Sequence, residues 1–229
     1  MALDRWLLEQ HRCGRLPSVL RFYRWQPATI SLGYHQRRYP DRWRDLTWQG
    51  QPVPLVRRPS GGRAVLHQGD LTYAVITSDF AGSRQQVYRQ ICQFLLQGWR
   101  SLGVSLRYGT AGRGYIHHPG CFTTATAADL VLDDGTKLVG SAQYRQGNAL
   151  LQHGSMPLRT EADLFCQVFG ADKPPPDLSA VVGHLTDQQV IAALTASAGA
   201  CWSIELKTQP LTAAEFQAAT QEADRWQVT

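Results

Sequence analysis

Short runs of β-branched and aromatic residues, each closed by turn formers, recur as far as Ser155 and limit the fold of this 229-residue chain more than any other feature. Leu20-Arg21-Phe22-Tyr23-Arg24-Trp25 ends at Pro27, Thr29–Tyr34 follows, and Val53–Arg58 runs into a pair of glycines. Leu71–Ile76 and Ala149–Ser155 have the same character, and a further strand is expected at Cys201–Leu206. Asp133-Asp134-Gly135-Thr136 lies between Leu130-Val131-Leu132 and Lys137-Leu138-Val139, where Asp-Gly signals a hairpin.

Helical signals fall between these runs. Asp4 to about Cys13 reads as a short helix stopped by Gly14. Ser83–Leu102 places Val87, Tyr88, Ile91, Cys92, Leu95 and Trp99 at helical spacing, and Gly103 ends it. Residues 37–52 predict a short helix and loop, and Glu161–Phe169 a second short helix. Two more helices open with capping boxes, Thr186-x-x-Gln189 and Thr212-x-x-Glu215. The proline run Lys173–Asp177 has the composition of a boundary, but the tail beyond it is too short to stand alone. One domain spanning 1–229 is therefore expected.

Composition excludes several classes of function. A hydrophobic content of 43% with 18% charged residues belongs to a globular chain. The net charge of +5 suits an acidic protein partner, and equally a solvated basic surface with no partner. The arginines are scattered rather than striped, so no nucleic-acid partner is expected. No run is long enough to span a bilayer, and Met1–Trp6 mixes acid and base in a way unlike a secretory signal. The 5 cysteines are odd in number and lack CxxC spacing, which predicts reduced thiols in the cytoplasm. His117-His118-x-x-Cys121 lacks a full ligand set, so no metal is expected.

Two stretches carry chemistry. Arg57-Arg58-Pro59-Ser60-Gly61-Gly62-Arg63-Ala64-Val65-Leu66-His67 sets paired glycines between strand-like flanks, which lets backbone approach a ligand closely. Taken alone, that pattern is better explained as a plain tight turn. Lys137-Leu138-Val139-Gly140-Ser141-Ala142 places one cation beside a floor of small residues, suited to a carbonyl next to a narrow channel; taken alone, it is an exposed strand lysine. Together, RRPSGGRAVLHQGDLTY and KLVGSAQYRQGNALLQHGS resemble the paired signatures of the lipoate–protein ligase and octanoyltransferase superfamily. The likeness extends to Leu20–Gln36 and is weak over the last third of the chain.

The resemblance implies an α+β fold of the biotin/lipoate protein ligase type, a mixed and mainly antiparallel sheet flanked by helices. It implies that Arg58, Ser60, Gly61 and Gly62, with Gly140, Ser141 and Ala142, hold the carboxyl end of a medium acyl chain. His67, His153 and Gly154 fall in matching positions, where a buried structural role fits the histidines equally. Cys121-Phe122, shortly before the lysine strand, resembles the cysteine-dependent octanoyltransferases of the ligase-like branch. By that likeness Cys121 is the nucleophile and Lys137 its electrostatic partner, with no cofactor. The donor is then octanoyl-acyl carrier protein, and the acceptors are lipoyl domains of 2-oxoacid dehydrogenases or the glycine-cleavage H protein. Backbone amides at a Gly140–Ala142 turn or in the glycine loop are the expected oxyanion donors. Thr123–Asp129 lacks the residues that branch leads one to expect. An ATP-dependent lipoate ligase, a lipoyl-domain-to-lipoyl-domain amidotransferase and a non-catalytic acyl-binding protein are the alternatives.

Overall fold

A computed structural model of the chain describes residues 1–110, 128–170, 175–221 and 223–228. In chain order the elements are helix α1 (Ala2–Arg12) and strands β1 (Val19–Tyr23) and β2 (Thr29–Leu32), then a 3-10 turn at Asp41–Trp43. A small hairpin, β3 (Thr47–Trp48) and β4 (Gln51–Pro52), precedes β5 (Leu55–Arg57), β6 (Val65–His67) and β7 (Asp70–Thr77). Helix α2 (Arg84–Ser101) leads to β8 (Arg107–Tyr108), β9 (Leu130–Val131), β10 (Lys137–Gln146) and β11 (Ala149–Pro157). Helices α3 (Ala162–Phe169), α4 (Ser179–Val182), α5 (Asp187–Trp202) and α6 (Ala213–Thr220) and a 3-10 turn at Ala223–Trp226 complete the order.

The strands form a six-stranded sheet, β1-β7-β11-β10-β9-β8, in which every pairing is antiparallel. A three-stranded sheet, β5-β2-β6, pairs β2 parallel to β5 and antiparallel to β6. This is the mixed, mainly antiparallel α+β architecture that the resemblance implies. Alternation along the strands sorts side chains to two faces. Tyr73, Val75 and Leu150 pack under α2 and α5, while Ala74, Ile76 and Leu151 pack on Leu7 and Leu8 of α1. The smaller sheet buries Ile30, Leu32 and Leu66 against Leu164, Phe165 and Val168 of α3. Trp43 closes that core and donates its indole N–H to Val168 O at 3.0 Å.

Helix α2 starts at a reciprocal cap, with Ser83 accepting from the Gln86 amide and Gln86 accepting from that of Ser83. The capping boxes expected at Thr186 and Thr212 are formed in the same way. The strand expected at Cys201–Leu206 is absent. Helix α5 instead runs through Trp202, and Ser203 caps it in the left-handed region. Packing decides this: the Trp202 ring lies 5.1 Å from Phe94 and 5.8 Å from Phe80, and only the helical path brings it there. Gly140–Ala142 is also not a turn. It is continuous strand, paired with Ser155, Gly154 and His153.

Candidate active site

The two consecutive arginines before the glycine loop shape it from within. Arg57 donates to Gly33 O at 3.0 Å and Gln36 O at 2.7 Å, bracing the turn that follows β2. Arg58 is buried and donates to Ser31 O at 2.8 Å, Gly61 O at 2.9 Å and Arg63 O at 2.6 Å. The loop therefore presses against β2. A Cβ at Gly33 would lie 1.9 Å from Gly62 O, so only glycine permits the approach.

Between the loop and the larger sheet is a cavity of about 200 Å³. Arg58, Gly61, Gly62 and His67 wall it from the loop side, and Gly140, Ser141, Ala142, His153 and Gly154 from the paired strands β10 and β11. Nine of the residues expected from sequence thus meet in one place. Ser60 is buried behind them and bonds to the Nε2 of His153. The room at Gly154 is also specific to glycine, since a Cβ there would fall 2.5 Å from Ser141 Oγ and 2.6 Å from the Tyr73 ring.

Two buried Ser–His–Asp arrays flank this cavity, and only their histidines and Ser60 are recognisable from sequence. In the first, Ser31 Oγ lies 2.8 Å from His67 Nε2, and His67 Nδ1 lies 2.8 Å from Asp70 Oδ2. A carboxylate can only accept, so Nδ1 carries the proton and Nε2 accepts from the Ser31 hydroxyl. Trp25 stacks on the His67 ring at 4.1 Å and donates to Thr72 Oγ1, which in turn donates to Asp70 Oδ2. In the second array His153 bridges Ser60 and Asp4, with Nδ1 3.6 Å from Asp4 Oδ2. Burial works to raise the Asp4 carboxyl, but the His153 hydrogen bond and the Arg21 charge outweigh it and hold it well below the usual carboxylate range. Burial depresses His153 against the opposing pull of Asp4, so the imidazole is neutral at neutral pH.

Lys137, the first residue of β10, is buried with its Nζ 2.8 Å from Asp129 Oδ1. The lysine itself does not line the cavity, whereas Asp129 does. Sequence reading missed Asp129, Asp4, Ser31 and Asp70. The hairpin register at Asp133–Thr136 places Asp129 near the lysine, and Asp70 follows His67 across the tight turn at Gly69. Asp4 carries no such signal, because its partner is on the last strand of the sheet. Cys121, with His117 and His118, lies outside the described residues. Among the others, burial pushes the Cys92 thiol up to about 12. Cys13 is exposed, and Cys166 and Cys201 are half-buried away from the cavity.

Comparison with known proteins bears on this site. The family model described as "Lipoyl protein ligase A/B catalytic domain" matches residues 1–197. Octanoyltransferase LipM of Lysinibacillus sphaericus is 34% identical over 95% of this chain and 86% of its own length. Octanoyltransferase LipM of Anoxybacillus flavithermus is 37% identical over 74% of this chain and 64% of its own. The chain therefore spans a little under two-thirds of most of the curated relatives it matches. Among solved structures, a lipoate-protein ligase A bound with ATP superposes with a TM-score of 0.75 at 21% identity, covering 98% of this chain and 88% of its own. A putative lipoate protein ligase from T. acidophilum with bound lipoic acid gives 0.75 at the same identity and coverage. At that identity the two structures establish the fold.

Proposed function

The chain belongs to the lipoyl protein ligase A/B catalytic domain family, and we infer from that membership and from the cavity that it is an octanoyltransferase of lipoate biosynthesis. The observation that carries the reading is the meeting of the glycine loop and the lysine strand at one cavity, in a chain whose relatives at 34–37% identity bear that name. We read residues 1–229 as one acyltransferase domain working in the cytoplasm, with no membrane or nucleic-acid partner. No helix among the described residues is long and apolar enough to cross a membrane.

In this reading the Cys121 thiolate attacks the carbonyl carbon of an octanoyl thioester carried by acyl carrier protein. A new C–S bond forms, the carrier's C–S bond breaks, and the carrier leaves as its thiolate. The exchange links thioesters of similar energy, so no ATP is needed. The target lysine of a lipoyl domain or glycine-cleavage H protein then attacks the acyl-enzyme. An amide forms, the cysteine leaves as thiolate, and the amine's proton passes to a base. His67 and His153, the two imidazoles on the cavity wall, are the bases we propose for that step. The ion pair of Lys137 with Asp129 sets the charge beside the shared wall and fixes where the lysine ammonium sits.

Incubation with octanoyl-acyl carrier protein, without ATP, is expected to add the mass of one octanoyl group, mapped to Cys121 by peptide mass spectrometry. Full activity in Cys121→Ala, or acylation that requires ATP and free acid, would overturn the reading in favour of a ligase. Transfer from acylated H protein but not from acylated carrier protein would select the amidotransferase.

A further inference from the structure

A second depression opens beside the acyl cavity and is continuous with it, since Gly61, Ala128, Ser141 and Ala142 line both. It encloses about 760 Å³, and the rest of its wall sets three arginines and a histidine among tyrosines and glutamines. Arg84 and Arg89 reach it from the exposed side of α2, Arg145 from β10, and His35 from the turn after β2. No Asp or Glu lines it among the described residues.

Arg145 is the informative member. Its Nε and Nη2 are buried and have no hydrogen-bond partner. Other inward arginines differ: Arg57 and Arg58 donate to backbone carbonyls, and Arg21 meets a carboxylate. Guanidinium N–H groups withdrawn from water without an acceptor are unfavourable, so such a group is explained best by an acceptor that arrives with a ligand. Its planar fork matches phosphate in particular.

We propose that this groove binds the phosphate of a phosphopantetheine thioester donor, with Arg145 as the fork and Arg84 and Arg89 as the surrounding positive field. The proposal rests on the octanoyltransferase reading, because a carrier-bound acyl group arrives on such an arm. With the octanoyl chain in the cavity, the thioester lies at the shared rim and the arm must leave along β10. Ser141, Gln143 and Arg145 share one face of that strand. Four residues at about 3.4 Å each separate the rim from the fork by roughly 14 Å, within the reach of an extended pantetheine arm. Strand β9 pairs with β10 only as far as Val139, so among the described residues no strand occupies that edge of Gly140–Gln146. The amides of the arm can lie along it.

The test compares octanoyl-4′-phosphopantetheine with octanoyl-pantetheine as donors for the full chain. The phosphorylated donor is expected to be better by about tenfold or more in kcat/KM, the return of a charge-assisted contact. Arg145→Gln is expected to bring the ratio of the two donors close to one, chiefly through KM, and Arg145→Lys to keep part of it. Calorimetry with unacylated 4′-phosphopantetheine and with pantetheine should show the same phosphate preference, lost in Arg145→Gln. Transfer indifferent to the phosphate, or equal loss with both donors in Arg145→Gln, would overturn the groove and leave the octanoyltransferase reading standing. Failure of transfer from both donors and from octanoyl-carrier protein would instead sink that reading. The calorimetry then decides alone: phosphate-dependent binding through Arg145 supports the site, and its absence overturns it.

Discussion

His153→Gln is expected to flatten the acid limb of the protein's stability, with a magnitude set by one proton. The imidazole is buried between Ser60 and Asp4, and burial, partly opposed by Asp4, lowers its pKa below the ordinary value. Unfolding returns it to about 6.5, so just below that pH the unfolded chain binds a proton that the folded chain refuses. Stability from this group is therefore complete above about pH 6.5 and declines as the pH falls. The slope approaches about 1.4 kcal/mol per pH unit until the folded protein also protonates. Thermal or urea unfolding at pH 7.5 and 5.5 should show the unsubstituted protein losing roughly 1 kcal/mol more than His153→Gln across that interval. For a chain of this length that is a difference of about 2–4 °C in Tm. Gln retains a group able to bond Ser60, so the difference between slopes isolates the ionisation. Parallel slopes in the two proteins, or a gain in stability on acidification, would show that His153 is not held neutral.

Other expectations follow from single contacts. Gly33→Ala would place a methyl 1.9 Å from Gly62 O and must displace the glycine loop; a loss of about 1–3 kcal/mol in urea unfolding is expected with octanoyl transfer nearly abolished. Asp129→Asn removes the carboxylate beside buried Lys137 and should cost about 3–5 kcal/mol, read by the same unfolding assay, with Lys137→Met on the Asn background recovering part of it. In the native protein at pH 8, iodoacetamide should label exposed Cys13 and spare Cys92, whose thiol is buried and pushed up to about 12; labelling of both, seen by peptide mass spectrometry, would contradict the packing of α2.

What sequence could reveal was set by the range of the interactions. The capping boxes at Thr186 and Thr212 and the Asp-Gly hairpin before Lys137 are local, and each is formed as expected. The helix face Val87, Ile91, Leu95 and Trp99 repeats within one segment, and it is buried as that repeat requires. The C-terminal strand expectation failed because Cys201–Leu206 is apolar at either period, and contacts of Trp202 with Phe80 and Phe94 chose the helix. The site followed the same rule. Its glycines and histidines stand in two contiguous motifs, the first of which also holds Ser60 and Asp70, but Asp4 and Ser31 come from elsewhere. Asp4 reaches His153 across 149 residues of chain, and Ser31 reaches His67 only because β2 pairs with β6.

Those orienting groups also narrow what the cavity can use as a nucleophile. Ser31–His67–Asp70 has the connectivity of a serine-hydrolase triad, yet its oxygen is also held by a buried arginine. Ser31 Oγ donates to His67 and accepts from Arg58 Nη1 at 3.1 Å, and the residue is buried in the middle of a strand. A hydroxyl fixed in this way holds the imidazole in one tautomer, which makes Ser31 a positioning residue. In the acyl-enzyme reading proposed above, the acyl-accepting atom belongs to a side chain that can face the cavity as an anion. Cys92 fails on ionisation, and Cys13, Cys166 and Cys201 fail on position. That elimination among the described cysteines supports Cys121, reached independently from its place shortly before the lysine strand. It also predicts a separation of roles: Ser31→Ala should slow transfer to the lysine acceptor while the Cys121 octanoyl adduct still forms, so the acyl-enzyme accumulates in intact-mass spectra. A variant that loses adduct formation and transfer together would place Ser31 in the first chemical step and refute the positioning role.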